Sequence, residues 1–229
     1  MSFTLRKHIT DRNLFWQNVI GWIIRCYNGP RRMFVIPCSS AANEKENALS
    51  ASAIRGWNCI REQQRLLPRF IRRLAVVPAI DLPLADFIHL CGHGSKILGT
   101  RLAEAAWTLM RGKNCQPPPI SVKTIRWVPG LSLGCPVHHI EVVFNSVVGS
   151  LRSEGLATGF TLTDAEGNLV PQIFRVDLKK NNAVLMTSIT DSAYRERLQL
   201  YYGYSPTAYC NITDEAGRSI PAFGPLPIS

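Results

Sequence analysis

Leu74-Ala75-Val76-Val77-Pro78-Ala79-Ile80, running into Asp81-Leu82-Pro83-Leu84-Ala85-Asp86-Phe87-Ile88-His89 and then into the Leu- and Ala-rich stretch 97–110, decides the fold. Seven apolar residues in a row, between Arg73 and Asp81, fit a strand buried on both faces. Pro83 and the two aspartates break that pattern and give a loop. The stretch 97–110 reads as a helix. The region upstream alternates in the same way. Leu14, Val19, Ile20, Ile23, Ile24 and Tyr27 recur at helical spacing until Asn28-Gly29-Pro30 ends the pattern, and 33–37 is a short apolar run suited to a strand. Residues 38–52 are small and polar and read as loop. Trp57, Ile60, Gln64 and Leu67 then give a helix that stops before Pro68. Alternating helices and strands predict an α/β domain over 1–113 with a mostly parallel sheet.

The composition changes at Cys115-Gln116-Pro117-Pro118-Pro119, a boundary signal. Beyond it the β-type runs 121–127, 139–144, 159–163, 183–188 and 198–202 are separated by turn signals such as Glu166-Gly167-Asn168 and Asn181-Asn182. This spacing predicts a β-rich module over 114–229.

The 229 residues allow one or two domains, and 46% hydrophobic with 18% charged residues exclude a disordered chain. A formal charge of +10 favours an acidic partner, whether an anionic sugar, a polyanion or a lipid surface. Arg31-Arg32, Arg72-Arg73 and Lys179-Lys180 are scattered pairs rather than one stripe interleaved with aromatics, so solvated faces are expected and no nucleic-acid partner. The stretch from Arg6 to Ile24 is interrupted by Gln17 and Asn18 and reads as an amphipathic helix, not a signal peptide. No apolar run approaches the roughly 20 residues that span a bilayer, so no membrane partner is expected. The seven cysteines contain no C-x-x-C pair, which argues against structural zinc and for small buried hydrophobes. No metal or other cofactor is expected.

Two patterns resemble catalytic machinery. Asp86 lies three residues before His89 in a loop that follows a buried strand, where α/β folds place their active sites. An aspartate at that spacing can orient an imidazole across one tight turn. A surface aspartate beside a capping histidine fits the spacing equally well. Gly130-Leu131-Ser132-Leu133-Gly134 matches the G-x-S-x-G nucleophile elbow, but that motif needs a strand before it and a helix after it. Here Pro136 and a β-type run follow, so a hairpin turn is expected. The adjacent His138 and His139 would point to opposite faces of a strand and do not make a metal site. His93 reads as a solvated loop histidine. Asn211-Ile212-Thr213 matches the N-glycosylation pattern, a three-residue match that chance often produces.

The stretch 81–90, followed by Gly94 and by Leu98-Gly99-Thr100-Arg101-Leu102-Ala103, resembles the last block of the sialate O-acetylesterase family, which belongs to the SGNH-type hydrolases. Trp57-Asn58-Cys59-Ile60-Arg61-Glu62-Gln63-Gln64 resembles the helix which that family places upstream. Gly159-Phe160-Thr161-Leu162, Gly167-Asn168-Leu169-Val170-Pro171, Tyr209-Cys210-Asn211-Ile212 and Pro221-Ala222-Phe223 resemble its C-terminal β segment, in the same order along the chain. The resemblance implies the C-terminal part of an SGNH (flavodoxin-like) parallel-sheet hydrolase domain followed by a β-rich module. It implies a serine-type hydrolase that removes O-acetyl groups from sialic acid or related sugars. His89 would be the general base and Asp86 its orienting partner, and a neutral imidazole suits that task at physiological pH. The family's Gly-Gln-Ser-Asn nucleophile motif does not occur in the 229 residues, nor do the glycine and asparagine blocks of its oxyanion hole. Two expectations follow: a separate polypeptide segment supplies the serine, or the chain is an inactive remnant or a non-catalytic carbohydrate-binding protein.

Overall fold

Strand β3 (Leu74–Ala79) and helix α2 (Gly92–Arg111) form the expected strand–loop–helix unit in a computed structural model that describes residues 23–25, 32–37, 51–71, 74–86, 89–111, 117–205 and 208–229. Val77 and Ala79 of β3 pack with Leu82 and with Leu98 of α2, and Ile97, Leu102 and Ala105 close around them. The helix begins at Gly92, five residues before its periodic apolar pattern. Cys91 takes the N-cap position. Its carbonyl accepts from Ser95 N–H at 2.8 Å and its Sγ accepts from Gly94 N–H at 3.4 Å, which satisfies donors that glycine-rich sequence leaves open.

Strand β2 (Arg32–Pro37) runs parallel to β3, from Arg32 opposite Leu74 to Pro37 opposite Ala79. Strand β1 (Ile23–Arg25) pairs antiparallel on the far side of β2. Ile23 and Ile24, expected to close a helix, are thus extended. Their β-branched side chains fit a strand as well as a helix, and periodicity over three residues cannot separate the two. The rest of that expected helix and the expected loop 38–50 lie outside the described residues. Helix α1 (Ala51–Leu66) starts ahead of the expected Trp57 and passes into a single 3-10 turn, Leu67–Arg69, at Pro68.

All other ladders among the described residues are antiparallel, so the chain is mixed α/β with mostly antiparallel sheets. β4 (Ser121–Ser132), β5 (Cys135–Asn145), β9 (Ile173–Lys179) and β10 (Asn182–Ile189) form one sheet in the order β4-β5-β10-β9. β7 (Phe160–Thr163), β8 (Leu169–Val170), β11 (Gln199–Tyr202) and β13 (Phe223–Pro227) form a second, in the order β13-β11-β7-β8. β6 (Leu151–Ser153) pairs with β12 (Ile212–Asp214), and one helical turn, α3 (Ser192–Arg195), precedes β11. Period-two alternation buries Ile140, Val142 and Phe144 on β5 and Ala183, Leu185 and Thr187 on β10. These meet Leu162, Leu200, Tyr202 and Phe223 of the second sheet in one hydrophobic cluster.

That cluster also takes in Ile80, the residue after β3. Ile80 Cδ1 lies 2.2 Å from where a Cβ on Gly203 would stand, so only a glycine admits it. Around this plug the two halves are tied by side chains that donate to backbone. Arg61 Nη1 of α1 donates to Gly203 O at 2.7 Å and to Ser205 O at 2.8 Å. Asn58 Oδ1 accepts from Ser205 N–H at 3.2 Å, and Glu62 accepts from Gly224 N–H at 3.3 Å.

The turn after β12 is a second tie. Asp214 is fully buried. Its carboxylate accepts from the backbone N–H groups of Val148, Ala216 and Arg218 and from the Arg218 guanidinium at 2.7 Å. Arg218 in turn donates to Pro118 O at 2.9 Å and to Ser146 O, closing the turn over the proline-rich boundary. Burial alone pushes the Asp214 carboxyl up, but the Arg218 side chain and the backbone donors of Val148 and Arg218 outweigh it and hold the group below its ordinary 3.8. A depressed carboxylate contributes stability that is complete above the ordinary value and is lost as pH falls through the lower folded value. The urea midpoint of the wild-type chain is therefore expected to fall between about pH 4 and pH 2. Asp214→Asn is expected to start about 1–3 kcal/mol less stable at neutral pH and to lose less over that interval, which urea titrations at several pH values check.

Candidate active site

The loop between β3 and α2 is a closed hairpin held at its base. Leu84 bridges Leu90, Ala85 N–H donates to His89 O at 2.7 Å, and Cys91 N–H donates to Pro83 O at 3.1 Å. At its tip Asp86 grips His89 twice. Oδ1 accepts the His89 backbone N–H at 2.7 Å and Oδ2 lies 2.7 Å from Nδ1. A carboxylate can only accept, so Nδ1 carries a proton, and in the neutral ring Nε2 then holds the lone pair. Nε2 has no hydrogen-bond partner among the described residues, and the two side chains are 64% and 51% exposed for His89 and Asp86. The arrangement fixes the imidazole ring and turns Nε2 away from the carboxylate. Phe87 and Ile88, between them in sequence, lie outside the described residues.

The other sequence patterns resolve into structure. Leu133 and Gly134 form a two-residue turn between β4 and β5 with φ of 51° and 81°, the positive pair of a type I′ hairpin. Gly130 is required because the His139 ring lies 2.2 Å from where a Cβ would be. Ser132 is thus a strand residue, not a nucleophile at an elbow. His139 is buried, its Nδ1 accepting from Thr187 N–H at 3.2 Å. His138 faces Arg195, whose Nη1 lies 3.0 Å from Nδ1. His93 is exposed in the first turn of α2. Among the described residues, no three His, Cys, Asp or Glu side chains are placed to hold a metal ion, and no helix is long and apolar enough to cross a membrane. Asn211 donates to the carbonyls of Glu154 and Leu156 and accepts from Thr158 N–H at 2.9 Å, which makes it a clasp for that loop. Of the cysteines, Cys210 is buried as expected, Cys91 is half-buried, and Cys59 and Cys135 are exposed. Cys26, Cys38 and Cys115 lie outside the described residues.

The residues that sequence reasoning missed are those that hold the loop. Asp81 and Arg101 form a buried ion pair, Nη1 to Oδ1 at 2.8 Å and Nη2 to Oδ2 at 2.7 Å. Asn58 and Arg61 anchor α1 as described above. Each sits in a motif quoted for its family likeness, but its partners, backbone groups or a side chain, lie far along the chain, which residue type and local spacing do not encode. A small apolar hollow lined by Arg61, Val76, Pro78, Ile80 and Pro221 lies between α1 and β3, and its lining includes neither Asp86 nor His89.

The fold has a counterpart among solved structures. The chain superposes with a TM-score of 0.62 on a carbohydrate acetylesterase from Xanthomonas citri, at 17% sequence identity and over 83% of its own length. It spans 40% of that esterase, and at this identity the likeness is one of fold. No protein-family model and no curated protein matches the chain.

Gly94 of α2 packs directly beneath the hairpin. A Cβ there would stand 2.7 Å from Pro83 O, a backbone atom. Gly→Ala inside a helix ordinarily stabilises by about 1 kcal/mol. Gly94→Ala is expected to do the reverse, lowering stability by about 1–3 kcal/mol through overpacking and shifting the backbone resonances of 83–91, as thermal melts and amide spectra would register.

Proposed function

We propose that this chain carries the histidine–aspartate half of a serine-type carbohydrate ester hydrolase. Residues 1–113 are then part of an SGNH-type α/β domain and 114–229 its β-rich companion. The observation that carries the reading is the double grip of Asp86 on His89, with Nε2 unbonded among the described residues. The fold likeness to a carbohydrate acetylesterase and the resemblance of 81–103 to the last block of sialate O-acetylesterases support it. The substrate would be an O-acetylated sugar, and the charge of +10 suits one bearing a carboxylate, such as sialic acid.

The serine would come from a polypeptide segment outside these 229 residues. Its hydroxyl attacks the acetyl carbonyl carbon as Nε2 of His89 takes the proton. Asp86 stabilises the imidazolium through Nδ1–H. Collapse of the tetrahedral adduct breaks the bond to the sugar oxygen, which receives the proton back from Nε2 and leaves as the alcohol. Water, deprotonated by the same nitrogen, then releases acetate and restores the serine.

The test is acetate release from O-acetylated sialic acid and from a simple acetyl ester, measured on the protein expressed in its native coding context. Hydrolysis that His89→Ala lowers by about 10²–10⁴-fold, with Asp86→Asn impaired in the same direction, is the expected result. Absence of hydrolysis in the unaltered protein, or hydrolysis indifferent to His89, would overturn the reading and leave a non-catalytic carbohydrate-binding module.

A further inference from the structure

We infer that Arg101 is a positioning residue for the Asp86–His89 pair, fixing the foot of the loop that carries it and tying that foot to the β-rich half. The inference rests on the proposed reading of the pair as an acid–base couple.

Arg101 sits nine residues into α2, about 13 Å from the helix start, with its side chain only 10% exposed. Every one of its five N–H groups is used. Nη1 donates to Pro78 O at 3.1 Å and to Asp81 Oδ1 at 2.8 Å. Nη2 donates to Asp81 Oδ2 and to Gly217 O, both at 2.7 Å, and Nε donates to Gly217 O at 3.2 Å. One planar fork therefore clamps the end of β3, the first residue of the loop and the turn after β12. Lysine offers three rotating donors around a point charge and cannot reproduce this geometry.

The hairpin bearing Asp86 and His89 has two feet on the same helix. One is the Cys91–Pro83 hydrogen bond seated on Gly94; the other is Asp81 held by Arg101. Between them Leu82 is buried against α2. Freeing Asp81 releases the ascending leg of the hairpin while the descending leg stays attached. The register that puts Ala85 opposite His89, and with it the grip of Asp86 on both nitrogens, depends on the two legs staying level.

The experiment reads the His89 ring directly. Long-range proton–nitrogen spectra of the 15N-labelled chain report the imidazole tautomer, with His89→Gln used to assign the signal. Amide hydrogen exchange is followed at 84–90 and at Leu185 in the β-rich core. The expected wild-type signal is the Nδ1–H tautomer. Arg101→Lys and Asp81→Asn are expected to mix the tautomers and speed exchange at 84–90 by about tenfold, with Leu185 unchanged. Arg126→Ala, which breaks an exposed pair with Glu141, serves as the control and should move neither. An unaltered tautomer in the Arg101 and Asp81 variants, or exchange that rises equally at Leu185, would overturn the inference, since a merely structural role predicts one or the other. Acetate release decides the catalytic reading separately. A tautomer shift in a protein that hydrolyses nothing would keep the positioning role and remove the esterase.

Discussion

A guanidinium taken out of water must have its N–H groups paired, because each buried donor left open costs on the order of 1–3 kcal/mol. Arg101 meets that demand with three partners from three places in the sequence: Pro78, Asp81 and Gly217. The requirement thereby fixes the exit of β3, the start of the following loop and the turn after β12 relative to one helix. Ile80 lies beside Asp81 in sequence and plugs into the β-rich core against Gly203. Polar and apolar ties therefore coincide at the residues where strand becomes loop. Arg61 and Asn58 repeat the pattern from α1, reaching the backbone of 203–205.

The strand–loop–helix unit was legible because a run of apolar residues, a proline-bearing loop and a Leu- and Ala-rich stretch each have a single physical reading at that length. The start of α2 was not, because Gly92 and Gly94 oppose a helix by propensity, and close packing under Pro83 overrides that preference. The main strands of the β-rich half were found through alternation. β6, β8 and β12 have only two or three residues each, too few for a period to register. β9 was missed because its burial alternates weakly, with Phe174 and Arg175 both exposed on an edge strand. Strand direction is set by connections, which residue patterns do not give: of the expected mostly parallel sheet, the described part holds one parallel ladder and one antiparallel.

The candidate site divides along the same line. Asp86 and His89 interact across three residues, so their contact is local and the sequence could propose it. Asp81 with Arg101 is separated by twenty residues, and Arg101 with Gly217 by 116. Nothing in the type or spacing of those residues names the partner, since a carbonyl oxygen is available at every position. Family likeness drew attention to the stretches that contain Arg61 and Arg101, and only three-dimensional placement gives each a physical task.

Exposure of the Asp86–His89 pair constrains what could complete it. An ion pair formed between imidazolium and carboxylate in water is worth little, because the high dielectric and mobile ions screen it; the same pair behind a cover of protein is worth several times more. The pair, with its members 64% and 51% exposed, would under the proposed function be a base and its orienter that the described residues leave open to water. Under the proposed function, the segment that brings the serine must also roof the hairpin, excluding water from Nε2 as it places the hydroxyl there. The hairpin suits such a partner. Its base is fixed at Pro83, Cys91 and Gly94 and its foot at Asp81, so the incoming segment would meet a preset nitrogen rather than have to order a loop.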